Sequence, residues 1–339
     1  YPLIDGVVNG CPSHLLEPTR TNLIQYSEDF SQGYWTKTGL LAPTSGFVSP
    51  KGDLSAFKLV EDTSTGGHNI NRSITVTSGA VSLSVKAKAG ERNWILLRDT
   101  QSNSGRYFDL KNGVIGSAQG ATPLSSNIKP LLNGWYDISI TVTAPATTTS
   151  FYVYVTNADA SLSHAGNGTS GIYIFGAQLE QGSFPTSYIP NYGTAAGVTR
   201  SAETANGAGD ASTFNDSEGV LFAEIAYLKD KGISSPFKVE RISISDSTDT
   251  NRLFISNTST VNEIQVFVKN AAGISFNKTV TISDNTLYNK IVLKYKANDF
   301  ALWINGFELQ TDNTYSYLPS GLSVLKFQGA SGAYDFEGN

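Results

Sequence analysis

The chain has 339 residues, with 24 basic and 29 acidic side chains, a net charge of −5 and no run of Lys or Arg, which excludes the electrostatic footprint of a nucleic-acid binder. No stretch approaches the roughly 18 apolar residues of a spanning helix, so membrane insertion is not expected. Charged residues are 16% of the chain, well under the usual share of about 25%, and Ser, Thr, Asn and Gly take their place on the surface. That composition suits a protein facing the outside of a cell or particle. With no methionine and one cysteine, the sequence reads as a fragment or processed product that has no intrachain disulfide.

Residues 1–22 contain Cys11, Pro12, Leu15, Leu16 and Pro18. The prolines argue for an extended lead-in, and Cys11 reads as a small buried apolar residue. Tyr26, Phe30, Tyr34 and Trp35 then lie close together, and Ser27 could cap a helical turn through Phe30. Two readings are open for these aromatics. One is core and lid packing; the other is a sugar-stacking platform on Tyr34 and Trp35.

From residue 54 onward the apolar period is two. Segments 73–77, 81–88, 94–98, 107–110, 135–142 and 151–155 alternate or carry β-branched and aromatic runs, with turn signals such as Lys111-Asn112-Gly113 and Asn133-Gly134 between them. Strands at this spacing with so little helix predict a sandwich of antiparallel sheets. Within it Trp94, Arg98, Arg106 and Tyr107 are candidate glycan contacts, because exposed aromatics beside polar side chains make such sites. Trp135 opens a strand and reads as core. The loop 157–170, rich in Ala, Ser, Gly and Asn, is expected to be exposed.

Residues 171–190, GIYIFGAQLEQGSFPTSYIP, read as the domain's last strand and an ordered exit fixed by Pro185 and Pro190. Alternation sets Ile172 and Ile174 on one face, and Tyr173, Phe175 and Ala177 on the other. Residues 193–213 hold small polar residues and are the expected linker, although 199–203 could still pair with the first domain.

A second sandwich is expected over 214–339, with strand-like runs at 220–227, 237–245, 252–256, 263–268, 275–282, 288–295, 300–305 and 322–327. Lys296-Ala297-Asn298-Asp299 and Asn305-Gly306 are hairpin turns, the latter favouring type I′. Residues 334–339 look like the start of another strand, so the natural chain is expected to continue past Asn339. The fold class is therefore all-β, two tandem antiparallel β-sandwich (jelly-roll) domains at 23–192 and 214–339, the second truncated.

No motif for chemistry stands out. Glu224 has Ala226 where a glucanase strand would place its partner carboxylate. His14, His68 and His164 are far apart and read as three loop histidines, with no close-spaced zinc pattern. No Gly-x-Ser-x-Gly nucleophile elbow is present. Asp246 and Asp249, in Asp246-Ser247-Thr248-Asp249-Thr250-Asn251, are the one candidate cation loop; their oxygen ligands would suit Ca²⁺, but an Asx-turn loop is the favoured reading.

LLEPTRTNLIQYSEDFSQGYW (15–35), NGWYDISITVTA (133–144) and IYIFGAQLEQGSFPTSYIPNYGTAAGVTRSAE (172–203) together resemble a recurring module of bacteriophage tail-fibre and other virion structural proteins, similar to carbohydrate-binding jelly rolls. LYNKIVLKYKANDFALWINGFEL (287–309), with Phe336-Glu337-Gly338, resembles concanavalin A-like, laminin-G-like sandwiches. The resemblance implies a noncatalytic tail fibre, spike or head fibre on the virion surface. It would be a homotrimer contacting other virion proteins and host cell-surface glycans, and would need no cofactor. The alternatives are a capsid decoration without ligand and the accessory carbohydrate-binding region of a secreted glycan-degrading enzyme.

Overall fold

A computed structural model describes residues 3–4, 7–8, 14–145, 147–228, 241–329 and 335–338. Cys11 and residues 229–240 lie outside that set, as do Tyr334 and Asn339. The described residues are almost entirely antiparallel strand, with one short 3-10 turn at Leu132–Gly134. They form two compact units, Thr19–Ser201 and a second that joins Tyr1–Pro18 to Ala202–Asn339. These bounds differ from the sequence-based 22/23 and 192/193, for reasons that lie in the pairing.

The first unit is two six-stranded sheets. One runs Val114–Gly120, Ser104–Asp109, Trp94–Asp99, Thr148–Thr156, His68–Thr75 and Thr36–Thr38. The other runs Ser125–Pro130, Trp135–Ala144, Gly79–Ala89, Gly171–Gln181, Ala56–Val60 and Thr44–Phe47. The core lies between them. Period-two alternation sends Ile95, Leu97, Phe151 and Val153 from the first sheet against Leu83, Val85, Ile138 and Ile174 from the second. Each such fully buried side chain stabilises the unit by roughly 1.5–3 kcal/mol relative to exposure.

The strand Gly171–Gln181 breaks its own alternation. Its register against Gly79–Ala89 shifts between Phe175 and Gln178, and Gly176 sits there at φ 63°. A Cβ at Gly176 would meet the Tyr188 ring at 3.1 Å, so the left-handed backbone and the close contact both favour glycine. The bulge corrects the face expected for Ala177. Ile172 and Ile174 point to the core, Tyr173 and Phe175 point away, and Ala177 and Leu179 return to the core. Trp135 is buried, but in the satellite cluster with Phe175 and Ala56 on the sheet's other face.

Beyond the bulge the exit is held by side-chain hydrogen bonds. Gln178 Nε2 donates to Glu180 Oε2 at 2.9 Å and to the Thr186 carbonyl at 3.1 Å, and Gln178 Oε1 accepts from the Ile189 amide at 2.7 Å. Thr186 donates to Glu180 from its amide at 2.8 Å and from its hydroxyl at 2.5 Å. Asn22, fully buried, donates to the carbonyls of Ala177 and Ile189 at 3.3 and 2.7 Å; its Oδ1 accepts from the amides of Ile24 and Leu179 at 3.0 and 3.2 Å.

Residues 1–22 are therefore not a uniform lead-in. Arg20–Asn22 pairs with Val198–Arg200 inside the first unit, whereas Leu16 bridges Gly338 inside the second. The expected linker is paired at two places: Val198–Arg200 belongs to the first unit, as the sequence allowed for 199–203, and Asn206–Ala208 joins Val324–Lys326 in a sheet of the second unit. The helical turn expected after Ser27 does not form. The Ser27 hydroxyl is instead taken by the Tyr188 hydroxyl at 2.7 Å and the Asn191 backbone.

In the second unit one sheet runs Asn206–Ala208, Val324–Lys326, Arg241–Ser245, Arg252–Asn257, Glu263–Asn270 and Gly273–Thr281. The other runs Glu218–Ile225, Asn289–Lys296, Phe300–Ile304 and Phe307–Asp312. Leu221, Ile244, Leu253, Val266, Leu293 and Leu302 share its core. Asn305 and Gly306 have φ of 52° and 87°, both positive as a type I′ turn requires, and Ile304 pairs directly with Phe307.

Asn22→Ala strips partners from four buried backbone groups. It is expected to destabilise the first unit by about 2–4 kcal/mol in urea unfolding, whereas Thr199→Ala, on the exposed strand beside it, should cost under about 0.5 kcal/mol.

Candidate functional site

The six candidate glycan residues do not form one site. Trp94, Arg98 and Tyr107 share the outward face of the sheet, where Leu96 pairs with Tyr107 and with Tyr154. Leu96 and Tyr107 are nevertheless fully buried there, in a cluster with Tyr152, Tyr154 and Leu162. The Tyr152 and Tyr154 rings are stacked, with centroids 5.6 Å apart. The loop that follows Thr156 lies over this face. Asp159 accepts from the Ser117 amide and hydroxyl, both at 2.9 Å, and Leu162 packs on the rings. Burial pushes the Tyr107 phenol up to about 12 although Arg98 pulls it the other way, and its hydroxyl donates to Gln119 Oε1 at 2.9 Å. Arg98 Nη2 donates to Asn103 Oδ1 at 2.7 Å.

Arg106 points to the opposite face, donating to the Ser126 hydroxyl and the Gly116 carbonyl. Trp35 is 3% exposed within the core, and its Nε1 donates to the Tyr26 carbonyl at 3.0 Å. Tyr34 is covered by the Arg72 guanidinium, 4.3 Å from its ring centroid. Neither ring presents a free face for stacking.

In the second unit Asp246 accepts from the Thr248 amide and hydroxyl and from Asn251 Nδ2, and Asp249 pairs with Arg252. Both carboxylates thus serve the turn. No group of three metal-ligating side chains occurs among the described residues.

The sequence missed a buried polar cluster. His14 is exposed, but His68 and His164 are buried with ring centroids 4.5 Å apart, although 96 residues separate them. His68 opens a strand, and His164 lies on the short strand His164–Ala165, paired with Thr65–Gly66. Beside them Glu61, fully buried, accepts from Arg92 Nε and Nη2 at 2.9 and 2.5 Å, from His164 Nε2 at 2.9 Å and from the Asn167 amide at 3.0 Å. Burial alone would raise the Glu61 carboxyl; the hydrogen bonds from Arg92, His164 and Asn167 outweigh it and hold the group at about 2. The cluster fastens the otherwise exposed loop 157–170 to the sandwich.

One open cleft of the first unit carries a ring at its rim. It has a volume of about 440 Å³ and is bordered by Tyr26, Glu28, Asp29, Gln32, Asn191 and Tyr192. Tyr192 is 70% exposed. Its place follows from the ordered exit. Asn191 closes an Asx turn, accepting from the Gly193 and Thr194 amides at 3.1 and 2.8 Å, and Tyr192 bridges back to Tyr26. Glu28 is paired with Lys51 at 2.7 Å. Burial opposes ionisation of Asp29, but hydrogen bonds from Ser31 and Gln32 prevail and hold its carboxyl below the usual value. The Asp29 carboxyl is thus held in the ionised form, the opposite of what a glycosidase acid needs. The cleft can accept hydrogen bonds from hydroxyls and offers a phenol ring for an apolar face. Tyr26 and Tyr192 are 166 residues apart, and the only signal in the sequence was an aromatic residue set among small polar ones.

No model of a known protein family matches the chain, and no curated protein matches it. Among solved structures it is similar to the mouse laminin alpha1 chain, domains LG4-5, at 10% identity and a TM-score of 0.25, over 82% of this chain and 84% of that one. The sandwich assignment rests on the strand pairing itself.

The Glu61 carboxyl is lower in the folded chain than its ordinary 4.5, so its contribution is complete above that value and fades as pH falls toward about 2. Glu61→Gln should cost about 3 kcal/mol at pH 7 by leaving Arg92 without its carboxylate, and the gap to the natural chain should close between pH 4 and pH 2 in denaturant unfolding.

Proposed function

We propose that the protein is a noncatalytic virion structural protein, part of a tail fibre, spike or head fibre, that attaches to the host by binding surface glycans. The observation that carries this reading is the Tyr26–Tyr192 cleft. A pyranose has hydroxyls at its edge and C–H groups on its faces. Glu28, Asp29 and Gln32 supply the polar partners, and the Tyr192 ring supplies the apolar contact. Tyr192 follows Asn191, whose amide donates to the buried Ser27 hydroxyl, and Asp29 is held by Ser31 and Gln32, so little ordering would oppose binding. The three blocks that resemble virion modules support the setting, as does the low-charge surface rich in Ser, Thr and Asn.

The test is a glycan array of host-surface polysaccharides followed by titration of the best hit. Tyr192→Ala is expected to weaken binding about tenfold or more with an unchanged unfolding midpoint, while Tyr152→Ala, on the covered face, should leave affinity unaltered. Binding that ignores Tyr192, or no binding to any surface glycan, would sink the proposal.

A further inference from the structure

The second unit exposes an apolar sheet face that the glycan reading does not use. On the sheet of Glu218–Ile225, Asn289–Lys296 and Phe300–Ile304, the residues Leu221, Ala223, Leu293 and Leu302 turn to the core, and Val220, Phe222, Val292 and Trp303 turn outward. Phe222, Val292 and Trp303 are directly opposite one another across the three strands. They floor a depression of about 470 Å³. Val220 is 60% and Phe222 56% exposed. A contiguous apolar strip of this kind on a surface otherwise rich in polar residues marks a contact surface.

Its charges indicate what covers it. Lys294 and Lys296 are paired within the chain, to Asp299 and Glu218. Glu224 and Lys290 are opposite one another in the register, yet neither side chain has an ion-pair partner among the described residues. Glu308, opposite Trp303 at the far edge, is likewise without an ion-pair partner among the described residues. Nearer the strip, Glu224 and Lys290 set one acid and one base beside each other, so that part of the face is complementary to itself. A copy laid face to face about a two-fold axis along the strands would set Phe222 against Val292 of the copy and Glu224 against Lys290 of the copy. An isologous contact requires such reciprocity.

We propose that this face is covered by a second copy of the same chain, packed sheet to sheet about a two-fold axis, in place of the homotrimer that the resemblance implies. The apolar strip supplies the attraction, and the Glu224 and Lys290 pairs across the axis set the register.

The test is the mass of the 339-residue chain in solution by light scattering and sedimentation, for the natural sequence, Phe222→Asp, Glu224→Lys, Lys290→Glu and the double Glu224→Lys/Lys290→Glu. The natural chain is expected at two copies. Phe222→Asp and each charge reversal should weaken association about thirtyfold or more, and the double variant should recover most of that loss. All these side chains are exposed, so the variants should fold, which circular dichroism checks. A pair formed only within one chain would move the unfolding midpoint and leave the mass alone. One copy for the natural chain at every concentration would overturn the proposal. So would an assembly indifferent to the four variants, or three copies instead of two.

Discussion

One buried amide side chain decides how the first unit closes. Asn22 answers four backbone groups drawn from three segments: the turn just after it at Ile24, the last strand at Ala177 and Leu179, and the exit at Ile189. Those groups are placed where it can reach them because Gly176 adopts a left-handed conformation and shifts the register by a bulge. Gln178 and Glu180 then hold Thr186 and Ile189, and Asn191 turns the chain back to Tyr26. The cleft at Tyr192 is thus the far end of a continuous set of buried hydrogen bonds. Its ring stands on backbone that the Asn191 side chain and the bridge to Tyr26 hold in place.

The first unit places its ionic interactions in the same manner. A carboxylate as buried as Glu61 persists in ionised form only because a bidentate arginine, a histidine and a backbone amide all donate to it. The result is a loop, 157–170, that is polar and largely solvated yet tied down, and that lies over the aromatic rings of the outer sheet face. Trp94 and Tyr107, candidate glycan contacts from the sequence, are consequently covered, and the exposed ring is elsewhere.

What the sequence made legible was local. Period-two alternation located central strands such as Gly79–Ala89 and Trp135–Ala144, and Asn305-Gly306 announced its own turn, because strand faces and tight turns depend on residues a few positions apart. It did not locate the edge strands Thr36–Thr38, Thr44–Phe47, Val114–Gly120 and Ser125–Pro130, which are short or polar. Trp135 was correctly read as buried. The face of Ala177 was not, since a one-residue bulge inverts alternation and leaves no mark beyond a glycine. Long-range pairings were the other gap. Nothing near Arg20 announces Val198–Arg200 as its partner, nothing near His68 announces His164, and small polar residues at 193–213 read as linker although two short strands lie among them. Ser27 had the right chemistry for a helix cap but found Tyr188 and Asn191 instead, because tertiary partners outcompete a single local turn.

The central claim is that the Asn22 and Gln178 hydrogen bonds belong to the cooperative core and are not a surface clasp. Amide hydrogen exchange tests it most directly. The amides of Leu179 and Ile189, bonded to the side chains of Asn22 and Gln178, should exchange only through global unfolding of the first unit, with the same free energy as the central amides of Gly79–Ala89. Exchange of these two amides at the rate of an open loop, while Gly79–Ala89 stays protected, would contradict the account.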